Sequence, residues 1–82
     1  MNALADIKFE IKKNLKVLSE NYKGWTKEIN LVSWNDRAPK LDIREWDSEH
    51  EKMSKGITLT KEELELLKEW LLETDLDELD LD

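Results

Sequence analysis

KLDIREW, at residues 40–46, alternates strictly between apolar and polar side chains. A period of two is typical of a β-strand that lays one face on a hydrophobic core. We therefore expect Leu41 and Ile43 to point inward. The other side chains should point outward and form a basic, aromatic face: Lys40, Asp42, Arg44 and Trp46.

KGITLT, at residues 55–60, predicts a short strand at 56–59 that runs directly into a helix. Thr60 and Glu63 have the spacing of a capping box, and Leu59 and Leu64 that of a hydrophobic staple. The helical period then places Leu64, Leu67 and Leu71 in one apolar stripe. Further apolar residues widen this stripe beyond what one sheet needs: Leu66, Trp70 and Leu72. We expect this helix to contact a second protomer as well, with Leu66 and Trp70 in the dimer interface.

Two more strands precede these motifs. Residues 7–18 alternate in hydropathy, and their β-branched and aromatic content favours a strand over a helix, although a helical spacing of apolar residues is also present. Residues 21–24 indicate a turn, and 25–35 a second strand whose poor alternation predicts either a bulge or burial of both faces. Loops are expected at 35–39 and 47–55. The fold class is therefore α+β, a curved four-stranded antiparallel sheet followed by one C-terminal helix.

Composition limits the class of protein. The chain has 82 residues, no cysteine, two glycines and a single histidine. One small domain is expected, at 1–74, followed by an acidic tail at 75–82 that is predicted to be disordered. His50 has no visible catalytic partner and is interpreted as a solvated loop residue, while a phosphate-binding glycine loop and a calcium loop are both missing. We therefore expect no enzyme, no metal and no cofactor. Because no apolar run exceeds three residues and a signal peptide is not evident, we expect a cytoplasmic protein outside the membrane.

Charge is distributed unevenly along the chain. The net charge is −7, but residues 1–46 carry +2 and residues 47–82 carry −9. This asymmetry is compatible with a strand-rich half that meets phosphate groups while the helix and tail face away. Single-stranded nucleic acid is bound by basic grooves with aromatic side chains on which bases stack. The basic residues and tryptophans of the strand half are compatible with such a site, although rows of basic residues on an acidic protein are by pattern alone more typical of a solvated face.

These motifs resemble the positive-cofactor-four (transcriptional coactivator p15) family of single-stranded-DNA-binding proteins, and the bacterial YdbC-type members most closely. The similarity is most specific at DIRE, residues 42–45, and at KGITL, residues 55–59. It extends to the hairpin at LSEN, KGW and VSWN, residues 18–21, 23–25 and 32–35. The resemblance implies a homodimer that binds DNA with its sheets. It also implies that Arg44 contacts DNA, and it aligns Trp46 with an aromatic position of the family.

The sequence thus predicts a homodimer that binds single-stranded DNA with little sequence preference, in transcription, replication or repair. The predicted DNA-binding residues are Lys23, Trp25, Lys27, Trp34, Arg37, Lys40, Arg44 and Trp46. Two alternatives stay open. One is a protein-interaction module that recruits transcription machinery, and the other is a protein for single-stranded RNA, since stacking and phosphate contacts discriminate poorly at the 2′-hydroxyl.

Overall fold

The computed structural model describes residues 7–82, which form one antiparallel sheet and a C-terminal helix. The strands follow one another in the sheet in chain order, from β1 to β4. The elements are β1 (Phe9–Glu20), β2 (Thr26–Trp34), β3 (Lys40–Trp46), β4 (Ile57–Leu59), α1 (Lys61–Glu73) and a 3-10 helix (Leu76–Leu79). The predicted order of four strands and one helix is confirmed.

Strong curvature distinguishes the sheet. Phe9 is paired with Trp34 at one end of β2, and Trp46 is paired with Thr26 at the other. Eight residues of flat strand would separate these ends by about 26 Å. The rings of Phe9 and Trp46 nevertheless lie 5.2 Å apart between centroids. The sheet is therefore bent into an open half-barrel, and these rings meet on its concave face.

Irregular pairing of β1 accounts for the bend. Its register with β2 shifts three times, between Ile11 and Lys13, between Asn14 and Lys16, and between Val17 and Ser19. Each extra residue adds local bending and twist to the bulged strand. The clean alternation predicted for residues 7–18 therefore holds only at the start of β1. Beyond it, the apolar side chains at 15, 17 and 18 are exposed instead of sharing one buried face.

The second strand buries side chains on both faces, which was one of the two explanations offered for its poor alternation. Glu28, Asn30 and Val32 are buried on the concave face. On the convex face Ile29 and Leu31 are half-buried and lie opposite Ile43 and Leu41 of β3. Within residues 7–82, only Val32 and Trp46 are fully buried apolar residues. The monomer therefore has a small core, and its convex face is incompletely covered.

Tight turns fix the strand order. Asn35 and Asp36 both have positive φ, and the Arg37 N–H donates to the Trp34 carbonyl over 3.0 Å. This is a type I′ turn, whose twist matches that of the strands it joins. In the first hairpin, Asn21 Oδ1 accepts from the N–H groups of Lys23 and Trp25. Both loops lie where the sequence predicts them.

The helix begins at the predicted capping box. The Thr60 N–H donates to Glu63 Oε1 over 2.8 Å, and the Glu63 N–H donates to Thr60 Oγ1 over 3.2 Å. Leu59 and Leu64 line one crevice, as a staple requires, together with Leu31 of the sheet. The helix otherwise projects beyond the sheet, and none of its residues is buried. Its apolar stripe is therefore open to solvent in the monomer.

After the helix, the segment that was predicted to be a disordered tail contains the 3-10 helix, which Asp75 caps through a bond to the Asp77 N–H. Across residues 7–82, no helix combines the length and hydropathy needed to span a membrane.

Gly56 is required by the close approach of β4 to β3. A Cβ atom at this position would collide with the Ile43 carbonyl oxygen and with Cα and Cβ of Arg44. Because these are mostly backbone atoms, a clash could be relieved only by moving β4 away from β3. We expect Gly56→Ala to lower the free energy of unfolding by about 1–3 kcal/mol, as for other overpacked sites.

Urea unfolding measures this loss. The neighbouring substitution Lys55→Ala, at an exposed residue, serves as the control and should change stability by less than about 0.5 kcal/mol. Equal stabilities for the two variants would show that β4 does not pack this closely on β3.

Candidate nucleic-acid interface

Trp46 is the first predicted site residue to be corrected. It has 0% exposure, so the prediction that it points to solvent beside Lys40 and Arg44 is wrong. Lys40, Arg44 and Trp46 do share a face of β3, as predicted. That face is the concave one. At its Trp46 end it is covered by residues that follow β3, among them His50 and Met53. The predicted period of β3 was right. The face expected to lie on the core was that of Leu41 and Ile43, whereas the buried side chains belong to Asp42 and Trp46.

Three aromatic rings form a cluster in the concave face. The Phe9 centroid lies 6.0 Å from that of Trp34 and 5.2 Å from that of Trp46, and both ring pairs are tilted by 47°. Such tilted pairs contribute about 0.5–1.5 kcal/mol beyond their burial. The indole N–H groups of Trp34 and Trp46 are buried without a hydrogen-bond partner. We name Phe9, Trp34 and Trp46 the aromatic cluster.

Arg44 is held between a carboxylate and this cluster. Its Nε and Nη2 atoms donate to Asp42 Oδ1 and Oδ2 over 2.6 and 2.7 Å, which makes a bidentate ion pair. The guanidinium carbon lies 4.7 Å from the centre of the Trp34 ring. Nη1 approaches Met53 Sδ and the Ser54 carbonyl. Arg44 is thus largely buried and already paired, contrary to the prediction of an outward-facing side chain.

The Asp42 carboxylate depends on this pair, because it is completely buried. A buried carboxylate that loses its partner costs about 3–5 kcal/mol. Arg44 therefore has a structural task in addition to any contact with a ligand. A substitution of Arg44 would test folding and binding together, so the exposed cations are better probes of binding.

Glu28 is the second buried carboxylate, and four side chains bind it. Asn14 Nδ2 and Asn30 Nδ2 donate to Oε1 over 2.9 and 3.0 Å, and the Thr26 hydroxyl donates to Oε2. His50 Nε2 lies 2.9 Å from Oε2 and 3.1 Å from Oε1. Burial raises the pKa of Glu28, but the bonds from Thr26, Asn30 and His50 and the charge of His50 outweigh it. The net result is a pKa below the usual 4.5.

His50 therefore differs from the solvated loop residue that the sequence predicted. Its ring contacts Trp46 at 5.8 Å between centroids and binds Glu28 across the concave face. Its backbone is left-handed, with φ of 57°, and its N–H donates to the Asp47 carbonyl. The histidine consequently attaches residues 47–56, which we name the return loop, to the sheet.

The return loop is ordered by its own hydrogen bonds. Asp47 Oδ1 accepts from the N–H groups of Lys52 and Glu51 over 3.0 and 2.8 Å. The bond from Lys52 contributes most to lowering the pKa of the Asp47 carboxyl, burial opposes it, and the bond from Glu51 lowers the pKa further. Met53 forms a β-bridge with Trp46. The sequence shows this loop as mostly polar residues without an apolar pattern, so its attachment to the core was not anticipated.

The exposed cations of the predicted site lie at two ends of the sheet. Lys23 is in the first turn, and Lys27 lines a shallow groove with Lys55 and the Arg44 region of β3. Arg37 and Lys40 are exposed around the second turn. Trp25 and Trp34 are half-buried, at the first and the second end respectively. The structure therefore brings Arg44 and Trp34 together and distributes the other predicted residues around them.

Metal chemistry finds no support in the part of the chain that is described. Residues 7–82 contain no group of three or more His, Asp or Glu side chains that could hold an ion. Glu28 and His50 are in contact, but their remaining neighbours are amides, a hydroxyl and an indole ring. The contact between Glu28 and His50 is suited to holding the return loop on the sheet.

Comparison with known proteins identifies the fold. The model of the family Transcriptional Coactivator p15 (PC4) matches residues 21–70. The chain belongs to this family. It is also similar to an uncharacterized protein of Treponema pallidum (strain Nichols), with 40% identity over 72 residues, which is 88% of this chain and 85% of that protein. The p15 coactivator family is a non-enzymatic, nucleic-acid-binding one, known for DNA binding and coactivator functions.

Sequence analysis missed Phe9, Asp42, Glu28, Asn30 and His50 as determinants of this surface. A signal for two of them was present, because Glu28 and Asn30 share a parity in β2 with Val32 and Trp34. Polar residues at core positions of a strand indicate a buried polar network when partners are available. The bonds from Asn14 and His50 come from residues distant in sequence, and no local pattern predicts them.

Acid stability tests the Glu28 network. Because the folded-state pKa of Glu28 is lowered, the ionised carboxylate stabilises the fold above about 4.5, and this contribution is lost as the pH falls through the folded-state value. We expect Glu28→Gln to be less stable by about 1.5–3 kcal/mol near neutral pH, the usual size for hydrogen bonds to a charged group. The difference from the wild type should shrink on acidification.

Urea midpoints over a pH series measure this effect. Glu62→Gln, in the exposed first turn of α1, removes a charge without removing the network and serves as the control. Parallel pH curves for the wild type and Glu28→Gln would contradict the assigned state of Glu28.

Proposed function

We propose that this protein binds single-stranded DNA as a homodimer, with little sequence preference, in bacterial transcription, replication or repair. The observation that carries the proposal is the family match over residues 21–70, which contains every exposed cation of the predicted site and all four tryptophans. The family is a nucleic-acid-binding one, and a sheet with aromatic side chains and cations at its edges is suited to the same ligand. In this proposal the protein is cytoplasmic and performs no catalysis.

The exposed cations would neutralise phosphates at both ends of the sheet. Lys23 and Lys27 would act near the first turn, and Arg37 and Lys40 near the second. Trp25 and Trp34 would stack bases, since each stacked base adds about 1–3 kcal/mol. Because Trp46 is buried, it would not stack a base in this proposal. Its ring instead packs against the rings of Phe9 and His50.

Arg44 would serve the site mainly through Trp34. Its guanidinium covers one part of the indole ring while Asp42 holds it in place. A ring fixed in this way loses little side-chain freedom on stacking a base, which favours affinity. The 3-10 segment after α1 is acidic and would not contact phosphates. In this proposal the basic half of the chain makes the phosphate contacts.

A homodimer would cover the surfaces that the monomer leaves open. Leu66 and Trp70 of α1 are 65% and 49% exposed, and Ile57 of β4 is 57% exposed. Leu66 and Trp70 lie on the apolar stripe of α1, and Ile57 lies on the convex face of the sheet. The start of α1 covers part of that face. Soluble monomers rarely expose a contiguous apolar surface of this kind. A second copy offers a matching surface by symmetry.

Binding is tested by fluorescence anisotropy with labelled oligo-dT and with duplex DNA over a salt series. We expect tighter binding of the single strand and a log–log salt slope of about −0.7 per phosphate contact. The double substitution Lys23→Ala with Lys27→Ala should make that slope shallower by about 1.4.

The control is Lys61→Ala, which removes an exposed charge of the same kind at the start of α1. Its affinity and salt slope should match the wild type. Equal affinity for duplex and single strand, or equal effects of the two sets of substitutions, would contradict the proposed site.

Dimerisation is tested by sedimentation velocity. The wild-type chain should sediment at twice the chain mass, because pairing removes the exposed leucine and tryptophan side chains of α1 from water. Leu66→Glu with Trp70→Glu should produce monomers, since a buried carboxylate without a partner is costly. Glu65→Lys, at an exposed position of the same helix, should remain dimeric, and a monomeric wild type would overturn this part of the proposal.

A further inference from the structure

A cavity of about 400 Å³ lies beside the aromatic cluster, and none of the predicted site residues except Trp25 belongs to it. It opens where the start of β1, the first turn and the return loop come together. Its lining consists of Ile7, Phe9, Trp25, Glu51, Lys52 and Met53. The volume falls within the range of about 300–1,000 Å³ that is usual for small-ligand pockets.

The walls of the cavity are held in place from outside it. The Phe9 ring contacts both Trp34 and Trp46. Met53 is bridged to the Trp46 backbone, and its sulfur atom lies 3.5 Å from Arg44 Nη1. The Trp25 N–H and carbonyl are both bound by Asn21, over 3.0 and 2.8 Å. A cavity with fixed walls can accept a ligand without first paying the entropy of ordering them.

The lining indicates the chemistry of the occupant. Two aromatic rings, a thioether and an aliphatic side chain supply flat, polarizable surfaces, and sulfur–aromatic contacts are favourable. Lys52 supplies a cation to the same lining beside the carboxylate of Glu51, and Lys23 lies two residues before Trp25 in the adjoining turn, so two cations accompany one carboxylate there. An aromatic ring that carries a nearby anion matches both features. A nucleobase joined to its phosphodiester has this chemistry, whereas an acyl chain or an apolar peptide would leave the lysines without a partner.

We propose that this cavity binds one unstacked base of the single strand, with Lys52 at the adjacent phosphate. The inference rests on the proposed function and adds Phe9, Lys52 and Met53 to the DNA-binding surface. The base stacks on Trp25 and contacts the Met53 methyl group. Its path into the cavity continues the surface formed by Trp34 and Arg44, because Phe9 and Met53 contact both regions.

Methyl NMR tests the contact directly, because the chain has only two methionines, Met1 and Met53. In protein labelled at the methionine methyl groups, saturating oligo-dT should shift the Met53 resonance through the ring current of the bound base. Met53→Leu assigns the signal. Anisotropy on the same sample reports whether the oligonucleotide binds, so loss of the proposed function and failure of this inference give different results.

Affinity provides the second measurement. Ile7→Trp puts a large ring at a lining residue that is 38% exposed, and it should weaken oligo-dT binding roughly tenfold, the equivalent of one stacked base. Leu18→Trp, at an exposed position of β1, should leave the affinity unchanged. Lys52→Ala should weaken binding and make the salt slope shallower by about 0.7.

Three outcomes would overturn the inference. The first is oligo-dT binding with an unmoved Met53 methyl resonance, and the second is equal affinity of Ile7→Trp and the wild type. The third is a Met53 resonance that moves when residues 2–6 are deleted and not when DNA is added, which would assign the cavity to the chain's own N-terminal segment. Absence of any oligo-dT binding would remove the inference together with the proposed function.

Discussion

Two buried carboxylates constrain the whole concave face. Asp42 and Glu28 are withdrawn from water, and each is satisfied by hydrogen bonds from neighbouring side chains. Arg44 meets the first, and His50 with Asn14 meets the second. These demands fix the rotamer of Arg44, the position of the return loop and the packing of Trp46. The nucleic-acid surface that we propose therefore lies over a polar interior. A substitution that removes one partner of either carboxylate would disturb both the fold and the site.

The fold was largely predictable because its signals are local. The alternation of residues 40–46, the capping box at Thr60 and the turn at 35–39 depend on neighbours in sequence, and each is present in the structure. The environment of Trp46 was not predictable in this way. Alternation divides a strand into two faces, but the pattern alone does not say which face of a half-barrel is enclosed. The bulges of β1 and the anchor from His50 decided that question, and both depend on contacts between distant residues.

The candidate site was predictable in its residue types and less so in its arrangement. The cations and tryptophans of the strand half include Arg44 and Trp34, which meet on the concave face, and Lys27, which lies on the convex side of β2. The sheet's curvature separates them, however, into residues that meet solvent, such as Lys23 and Arg37, and residues that support the surface from within, such as Trp46. The uncovered stripe of α1 is a similar case. Its width was evident from sequence, whereas its exposure beyond Leu64 in the monomer required the structure.

The bulges of β1 also have a protective consequence. This strand is twelve residues long and lies at the border of the sheet, so one row of its backbone groups is free to pair with another chain. A regular strand of that length with exposed Leu15, Val17 and Leu18 would be a template for aggregation. Three interruptions in its spacing, together with its lysines, leave no long straight segment for a foreign strand to join. The distortion that curves the sheet thereby also makes its border a poorer template for polymerisation.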